Sequence, residues 1–429
     1  MTMDDSQPEV RTSFRSVFNV NGFGALFVGT TLGQLGVSLQ ILAFSVAVFD
    51  LTRSPTWSSV AFAAGFLPQV VGGLFLPSLA DRAPARLLLP LGALLRCGSA
   101  ALLASGILPL ASAIALIAAA ALVQPLFSAG QSGLVARLLS GDRYVLGRSL
   151  FTMTSLVSQL AGLGLGGVLL GFVGTGGALL VAAGSQLVAA LVLALGLPRL
   201  PVSGGLNARW RIGGTWRAYR EIFAVPLLRS LLLLWWIPLG LFAGAESLAV
   251  AYAGQAGVNG AVTGVMLAAA PFGGFVGELA VGRGCRPSTR ERLVLPLLIL
   301  MGLGLLPLGF QPRPLMAAVL LGLASLGLAY ELGRQAEFRA GLPPGHESVG
   351  FGLFGVGVMT TQGVGPLLGG PLASAIGTGP AMAACGAAIL LIGGPLWYLC
   401  VRAVSTVPLA VTKRNMDQAS APRRGEKGT

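Results

Sequence analysis

Lysine and arginine are confined to alternate connections along this 429-residue chain. Of its 28 basic residues, 25 lie at the two ends or in every second connection between apolar stretches, two (Arg53 and Arg313) lie in the intervening connections, and Arg96 lies inside a stretch. A lipid bilayer imposes this segregation on a chain that crosses it repeatedly, because short basic loops stay cytoplasmic while the loops between them are translocated. A fold in water offers no reason for it. The net charge of +13 is therefore a topology signal, and nucleic acid is excluded as a partner because the basic residues do not form one aromatic-interleaved groove.

Composition agrees. Hydrophobic residues make up 54% and charged residues 10% of the chain, whereas soluble domains carry about a quarter charged residues. About 20 apolar residues cross a hydrocarbon core of about 30 Å, and twelve stretches qualify, from Gly22–Phe49 to Pro380–Val401. The expected fold is an all-α membrane protein of twelve transmembrane helices in two pseudo-symmetric six-helix bundles. Its parts are a cytoplasmic N-terminal arm (1–19), an N-terminal bundle (20–197), a cytoplasmic interbundle loop (198–228), a C-terminal bundle (229–404) and a polar cytoplasmic tail (405–429). The acidic start MTMDDSQPEV is unlike a secretory signal, so the first apolar segment is expected to remain as a span. Four scattered cysteines and one histidine leave no disulfide framework and no metal site, and no cofactor is expected.

The two bundles are expected to be a duplication. Phe127 and Gly130 recur as Tyr330 and Gly333, and Ser158, Gln159, Gly162, Gly166 and Gly167 recur as Thr361, Gln362, Gly365, Gly369 and Gly370, all at an offset of 203. A shared offset across separate regions reads as a parallel repeat of six helices.

The sharpest local signal follows the second stretch: Pro77-Ser-Leu79-Ala80-Asp81-Arg82-Ala-Pro84-Ala85-Arg86. Flanking charge explains Arg82 and Arg86 but not Asp81, since acids contribute little to orientation. An Asp at a helix end can pair with Arg and with a neighbouring helix N-terminus, forming a latch on the cytoplasmic side. A degenerate copy, Gly277-Glu278-Leu-Ala-Val281-Gly-Arg283, puts Val281 at the Asp position with Glu278 as a substitute acid. The first segment resembles the loop between helices 2 and 3 of the major facilitator superfamily, G-x-L-A-D-R-x-G-R-[RK], departing from it at Pro77, Pro84 and Ala85. Together with Asp50-Leu-Thr52-Arg53-Ser54-Pro55, Leu67-Pro68 and Leu94-Leu-Arg96, it is similar to the branch containing macrolide-efflux proteins and the enterobactin exporter. Gly365-Pro366-Leu-Leu-Gly369-Gly370 resembles the G-P-x-x-G-G motif of drug and proton antiporters. It lies here in the eleventh span, while the fifth carries Gly162-Leu163-Gly-Leu-Gly166-Gly167 with Leu163 in place of the proline; either run also serves simple close packing or a hinge.

Charges at membrane depth are costly and point first to function. Glu246 in the seventh span is the candidate proton carrier, with hydration at the outer mouth as the alternative. Glu331, with Arg334 and Arg137 as candidate partners, reads as a cytoplasmic gate. Arg96 either binds an anionic solute, pairs with an acid or braces the third span. The resemblance implies a cavity lined by spans 1, 4, 7 and 10, with Thr31, Gln34, Ser38, Gln124, Gln131, Trp235, Trp236 and Tyr330 as candidates beside Arg96. Few of these bear charge, so the expected solute is hydrophobic or amphipathic.

The expected function is export of a drug, antibiotic or siderophore-like molecule by alternating access and proton antiport. The protein would act as a plasma-membrane monomer with both termini cytoplasmic and with protons, solute and lipid as its partners. Proton-coupled uptake, or movement of a lipid-like solute, is the rival among transporters. A polytopic enzyme is disfavoured because no intramembrane catalytic constellation is evident. Replacing Asp81 with Asn is expected to loosen the latch and raise the labelling rate of a cysteine placed near Arg86; an unchanged rate would remove Asp81 from that role.

Overall fold

The computed structural model describes residues 17–76, 84–139, 142–198, 212–258, 260–343 and 347–406. The described residues are helical throughout, without strands. Eleven helices among them are long and apolar enough to cross a membrane, with Gly166–Gly196 counted as one; divided at Gly174, the run to which it belongs brings the spans to twelve. We number the spans α1 (Phe23–Thr52), α2 (Pro55–Phe75), α3 (Ala85–Ala104), α4 (Leu110–Leu138), α5 (142–173), α6 (175–196), α7 (Pro226–Gln255), α8 (Gly260–Gly284), α9 (Thr289–Phe310), α10 (Pro314–Gly341), α11 (Glu347–Ile376) and α12 (Thr378–Thr406). The arms α5 and α6 form one continuous helical run, Asp142–Gly196, broken only at Gly174, where φ is 67°. Only glycine adopts that backbone without strain, so this one residue turns a single long apolar run into two crossings.

Two spans are irregular. In α2 the helix breaks at Gly65 and Phe66, before Pro68. Proline supplies no N–H to the ladder, and the Gln69 side chain donates to the Gly65 carbonyl at 2.6 Å beside the break. In α10 the eight residues Gly327–Arg334 wind as a 3-10 helix. The helix Ile212–Ala224 precedes α7 and seats Ala218 and Ile222 against the C-terminal half, leaving Trp216 and Arg217 exposed.

Outward faces are apolar: Leu180, Leu187, Leu191 and Leu195 of α6 are exposed at helical spacing, as a lipid-facing stripe requires. Inward, glycines set the helix spacing, and they do so equivalently in the two halves. Gly162 and Gly166 of α5 pack on Ser38, Leu39 and Leu42 of α1, while Gly365 and Gly369 of α11 pack on the backbone of Gly240 and Gly244 of α7. Gly130 of α4 meets Leu88 of α3, and Gly333 of α10 meets Val294 of α9. Residues spaced by 203 thus make matching contacts.

The halves meet at one end. An added Cβ on Gly264 of α8 would collide with the backbone of Gly167 of α5, and one on Gly254 of α7 with the ring of Phe49 of α1. Gly370 of α11 lies on Thr56 and Ser59 of α2, Thr56 Oγ1 and Ser374 Oγ are 2.8 Å apart, and Ser59 and Ser247 hydroxyls are 3.4 Å apart. All these residues lie towards the ends that carry Arg53 and Arg313. At the opposite end, where the basic connections lie, Val17, Phe23, Leu89, Leu134 and Leu193 form a separate core drawn from the N-terminal half alone. The molecule is closed on the arginine-poor side, where the contacts between the halves lie.

Because the closed end relies on backbone approach, bulk there should prise it apart. Gly264→Leu is expected to raise at least tenfold the labelling rate of a cysteine introduced at Ser247, in a background lacking the native cysteines; a rate equal to that of the background would contradict this closure.

Candidate functional site

Between the halves lies a cavity of about 560 Å³. It runs from Phe62 and Val250 near the closed end to Gly29, Leu89, Gln131 and Leu193 towards the basic end. Its two walls differ in chemistry. The N-terminal wall presents six glutamines, Gln34, Gln40, Gln69, Gln124, Gln131 and Gln186, with hydroxyls from Thr31, Ser38, Ser99 and Ser128 among them. The C-terminal wall is made of Ala243, Val250, Leu267 and Met359, with Glu246, Ser247 and Gln362 as its polar groups. The N-terminal wall is thus more polar than expected, because Gln69 and Gln186 from helices not assigned to the lining also reach it, set among apolar side chains such as Ile41, Phe62, Phe66 and Phe127.

Arg96 lies within this cavity on α3. An arginine at bilayer depth costs about 2.5–3.5 kcal/mol on insertion scales, and the fold supports it locally. The guanidinium lies over the Phe127 ring at 5.8 Å. Ser99 Oγ donates to the Arg96 carbonyl at 2.9 Å, and Gln40 Nε2 of α1 donates to Ser99 Oγ at 3.2 Å. From α6, Gln186 Nε2 reaches the Gly33 carbonyl at 2.9 Å and Ser185 Oγ the Leu32 carbonyl at 2.7 Å. These bonds tie α1 to α3 and α6 behind the site. Gln40, Ser99 and Gln186 were not apparent from the sequence; a polar residue isolated in an apolar run was the available signal.

Thr31, Gln34, Ser38, Gln124, Gln131 and Glu246 also line the cavity. No ion pair reaches Glu246 among the described residues. Trp235, Trp236 and Tyr330 do not line it. The Tyr330 hydroxyl donates to the Trp235 carbonyl at 2.7 Å, the Trp235 ring packs edge-on against Phe338 and Phe354, and Trp236 Nε1 donates to the Phe354 carbonyl at 3.1 Å. The Tyr330 hydroxyl and the Trp236 indole N–H find partners inside the C-terminal half, and all three rings serve its core.

The expected pairing of Glu331 with Arg334 is also replaced. Arg334 Nη1 bonds Glu337 Oε2 at 2.6 Å, across the junction between the 3-10 stretch Gly327–Arg334 and the α-helical turns Gln335–Gly341. Glu331 instead has Glu278 of α8 as an electrostatic neighbour. Glu278 and Arg283 are exposed. At the end of α8 the carbonyls of Gly282 and Cys285 are capped by Arg290 of α9, through Nη2 and through Nε at 3.0 Å respectively. Asp81 and Arg82 lie outside the described residues. Arg86 and Arg137 flank a smaller cavity of about 350 Å³ with Pro84 and Pro198. Pro366 is buried within α11, between Gly365 and Gly369. No group of metal-ligating side chains occurs among the described residues.

A membrane-spanning bundle of paired six-helix halves around a central cavity is the architecture of a transport protein. The family model of the Major Facilitator Superfamily matches residues 26–333, and the chain belongs to that superfamily as a multi-pass membrane transporter. Among solved structures, a bacterial homolog of the human lysosomal transporter Spinster, inward-facing and unoccupied, is 15% identical with a TM-score of 0.66, over 91% of this chain and 98% of that one. The nucleoside transporter NupG is 12% identical with a TM-score of 0.66, over 88% and 100%. A peptide transporter POT in complex with sulfate is 15% identical with a TM-score of 0.63, over 89% and 94%. At such identities the likeness is one of fold. No curated protein matches the sequence.

The Arg290 cap makes a stability prediction. Hydrogen bonds from a charged donor contribute about 1.5–3 kcal/mol. Arg290→Ala is therefore expected to lower the thermal unfolding midpoint of the purified protein by several degrees, while Arg283→Ala leaves it unchanged.

Proposed function

We propose that this transporter exports a hydrophobic or amphipathic small molecule, of the size of a drug, antibiotic or siderophore, in exchange for protons, with Glu246 carrying the proton. The observation behind this reading is the position of Glu246: a carboxylate without an ionic partner, on the wall facing the glutamine-rich side of the cavity. A carboxyl group there exchanges protons with whichever side the cavity opens to, and its charge state alters what the opposite wall can hold. The outward direction follows from the resemblance of residues 50–96 to exporters, and the solute class from a cavity with one apolar wall.

In this reading the protein is a monomer in the plasma membrane with both termini in the cytoplasm, and its cavity opens to the cytoplasm. Asp81, Arg82 and Arg86 form the latch that shuts this end in the opposite state, with Arg137, Glu278, Arg283, Glu331 and Arg334 around the same rim. The glycines Gly162, Gly166, Gly365 and Gly369, with Pro366, are the surfaces on which the spans pivot.

Everted membrane vesicles with an acidic lumen provide the test, using a panel of hydrophobic antibiotics and fluorescent dyes. The parent is expected to accumulate a solute at least tenfold faster with the gradient than without it. Glu246→Gln is expected to lose that acceleration while still binding the solute. Gradient dependence retained in the variant would remove Glu246 as carrier. Accumulation only under the reversed gradient would favour uptake.

A further inference from the structure

The charge on the polar wall is more specific than its amides. Arg96 is a fixed cation lining the cavity, and the N-terminal half offers it no counter-charge: the acids of residues 20–197 are Asp50, Asp81 and Asp142, all at span ends or between spans. Glu246, the carboxylate of the facing wall, belongs to the other half and makes no ion pair with Arg96 here.

The guanidinium is presented rather than hidden. Phe127 supports it at 5.8 Å and itself rests on Gly92, while the Gln40–Ser99 chain fixes the backbone of the same turn. In front of it α1 carries Gly33. A Cβ at that position would lie 4.0 Å from Arg96 Nη1 and 3.6 Å from Gln186 Oε1, so the absence of a side chain leaves a notch beside the cation. A planar guanidinium fork bordering a notch suits an oxyanion, which it can hold through two parallel hydrogen bonds. Opposite it, Val250, Leu267 and Met359 supply an apolar surface for the remainder of a molecule.

We infer that the transported solute is an amphipathic anion, whose carboxylate or comparable oxyanion docks on Arg96 in the notch beside Gly33 while its apolar body lies on the C-terminal wall. This narrows the solute class of the function proposed above and rests on that reading of the cavity. The rival assignment, in which Arg96 serves only as an internal partner for Glu246, gives a solute no reason to be charged.

A matched pair of probes separates the two. Dansylglycine and its neutral amide, dansylglycinamide, share the apolar ring and differ in the charged group. Saturable fluorescence would be measured with the purified full-length protein in nanodiscs. The parent is expected to bind the acid at least tenfold more tightly than the amide. Arg96→Gln should abolish the preference by weakening the acid alone, and Arg96→Lys should keep part of it. Gly33→Val, which fills the notch and leaves the charge, should also reduce acid binding, and it decides the matter if Arg96→Gln unfolds on heating earlier than the parent. Equal affinity for the two probes in the parent, saturable binding of neither, or an acid preference that survives both Arg96→Gln and Gly33→Val would overturn the inference. Such a result with gradient-driven accumulation intact sinks this inference alone. An acid preference without any gradient-driven accumulation sinks the transport cycle instead.

Discussion

Hydrocarbon gives helices no hydrophobic reason to associate, since lipid tails are as apolar as leucine side chains. What holds this molecule together across the membrane is close contact between backbones, made possible where side chains are missing. Gly365 and Gly369 against Gly240 and Gly244, and Gly264 against Gly167, are such contacts. Dispersion between surfaces this close replaces the burial that would drive the fold in water. The same contacts decide the shape, because helices that touch at one end and diverge at the other leave a cavity between the two halves.

The cavity inherits the division of the chain. Its N-terminal wall is built from side chains that donate and accept hydrogen bonds, and several of them are held by bonds between helices, as with Gln40 on Ser99 and Gln186 on the Gly33 carbonyl. The C-terminal half turns its aromatic residues inward upon one another: Trp235, Phe338, Phe354 and Tyr330 form a packed interior in which the Tyr330 hydroxyl is satisfied by the Trp235 carbonyl. Duplication produced two halves with matching helix contacts, and side-chain divergence gave them unlike faces. One half carries Arg96 and most of the amides of the cavity, while the other carries a mainly apolar surface and a single carboxyl group, Glu246.

The spans and the repeat were legible in the sequence because the bilayer writes them in long apolar runs and alternating charge, which no tertiary contact is needed to interpret. The inward face of α1 was legible too: Thr31, Gln34 and Ser38 share a helical face by spacing alone. Gln40, Ser99 and Gln186 were not, because their roles depend on which neighbouring helix each meets. The misplaced residues, Trp235, Trp236 and Tyr330, failed for a related reason. Membership of a cavity-lining helix does not say which face of it points inward, and the carbonyls that capture their polar atoms come from elsewhere in the fold. Glu331 was matched to Arg334 on a spacing of three, but Arg334 closes the 3-10 stretch and bonds forward to Glu337 in the α-helical turns that follow.

That tight winding in α10 has a mechanical consequence. A 3-10 turn rises about 2.0 Å per residue where an α turn rises about 1.5 Å. Over the eight residues Gly327–Arg334 the difference is about 4 Å of length. The accompanying change from three to 3.6 residues per turn amounts to nearly half a revolution of whatever lies beyond. Relaxing this stretch would shorten the span like a drawn spring and swing Glu331 and Arg334 to new bearings, without moving the half of the helix that begins at Pro314 at all.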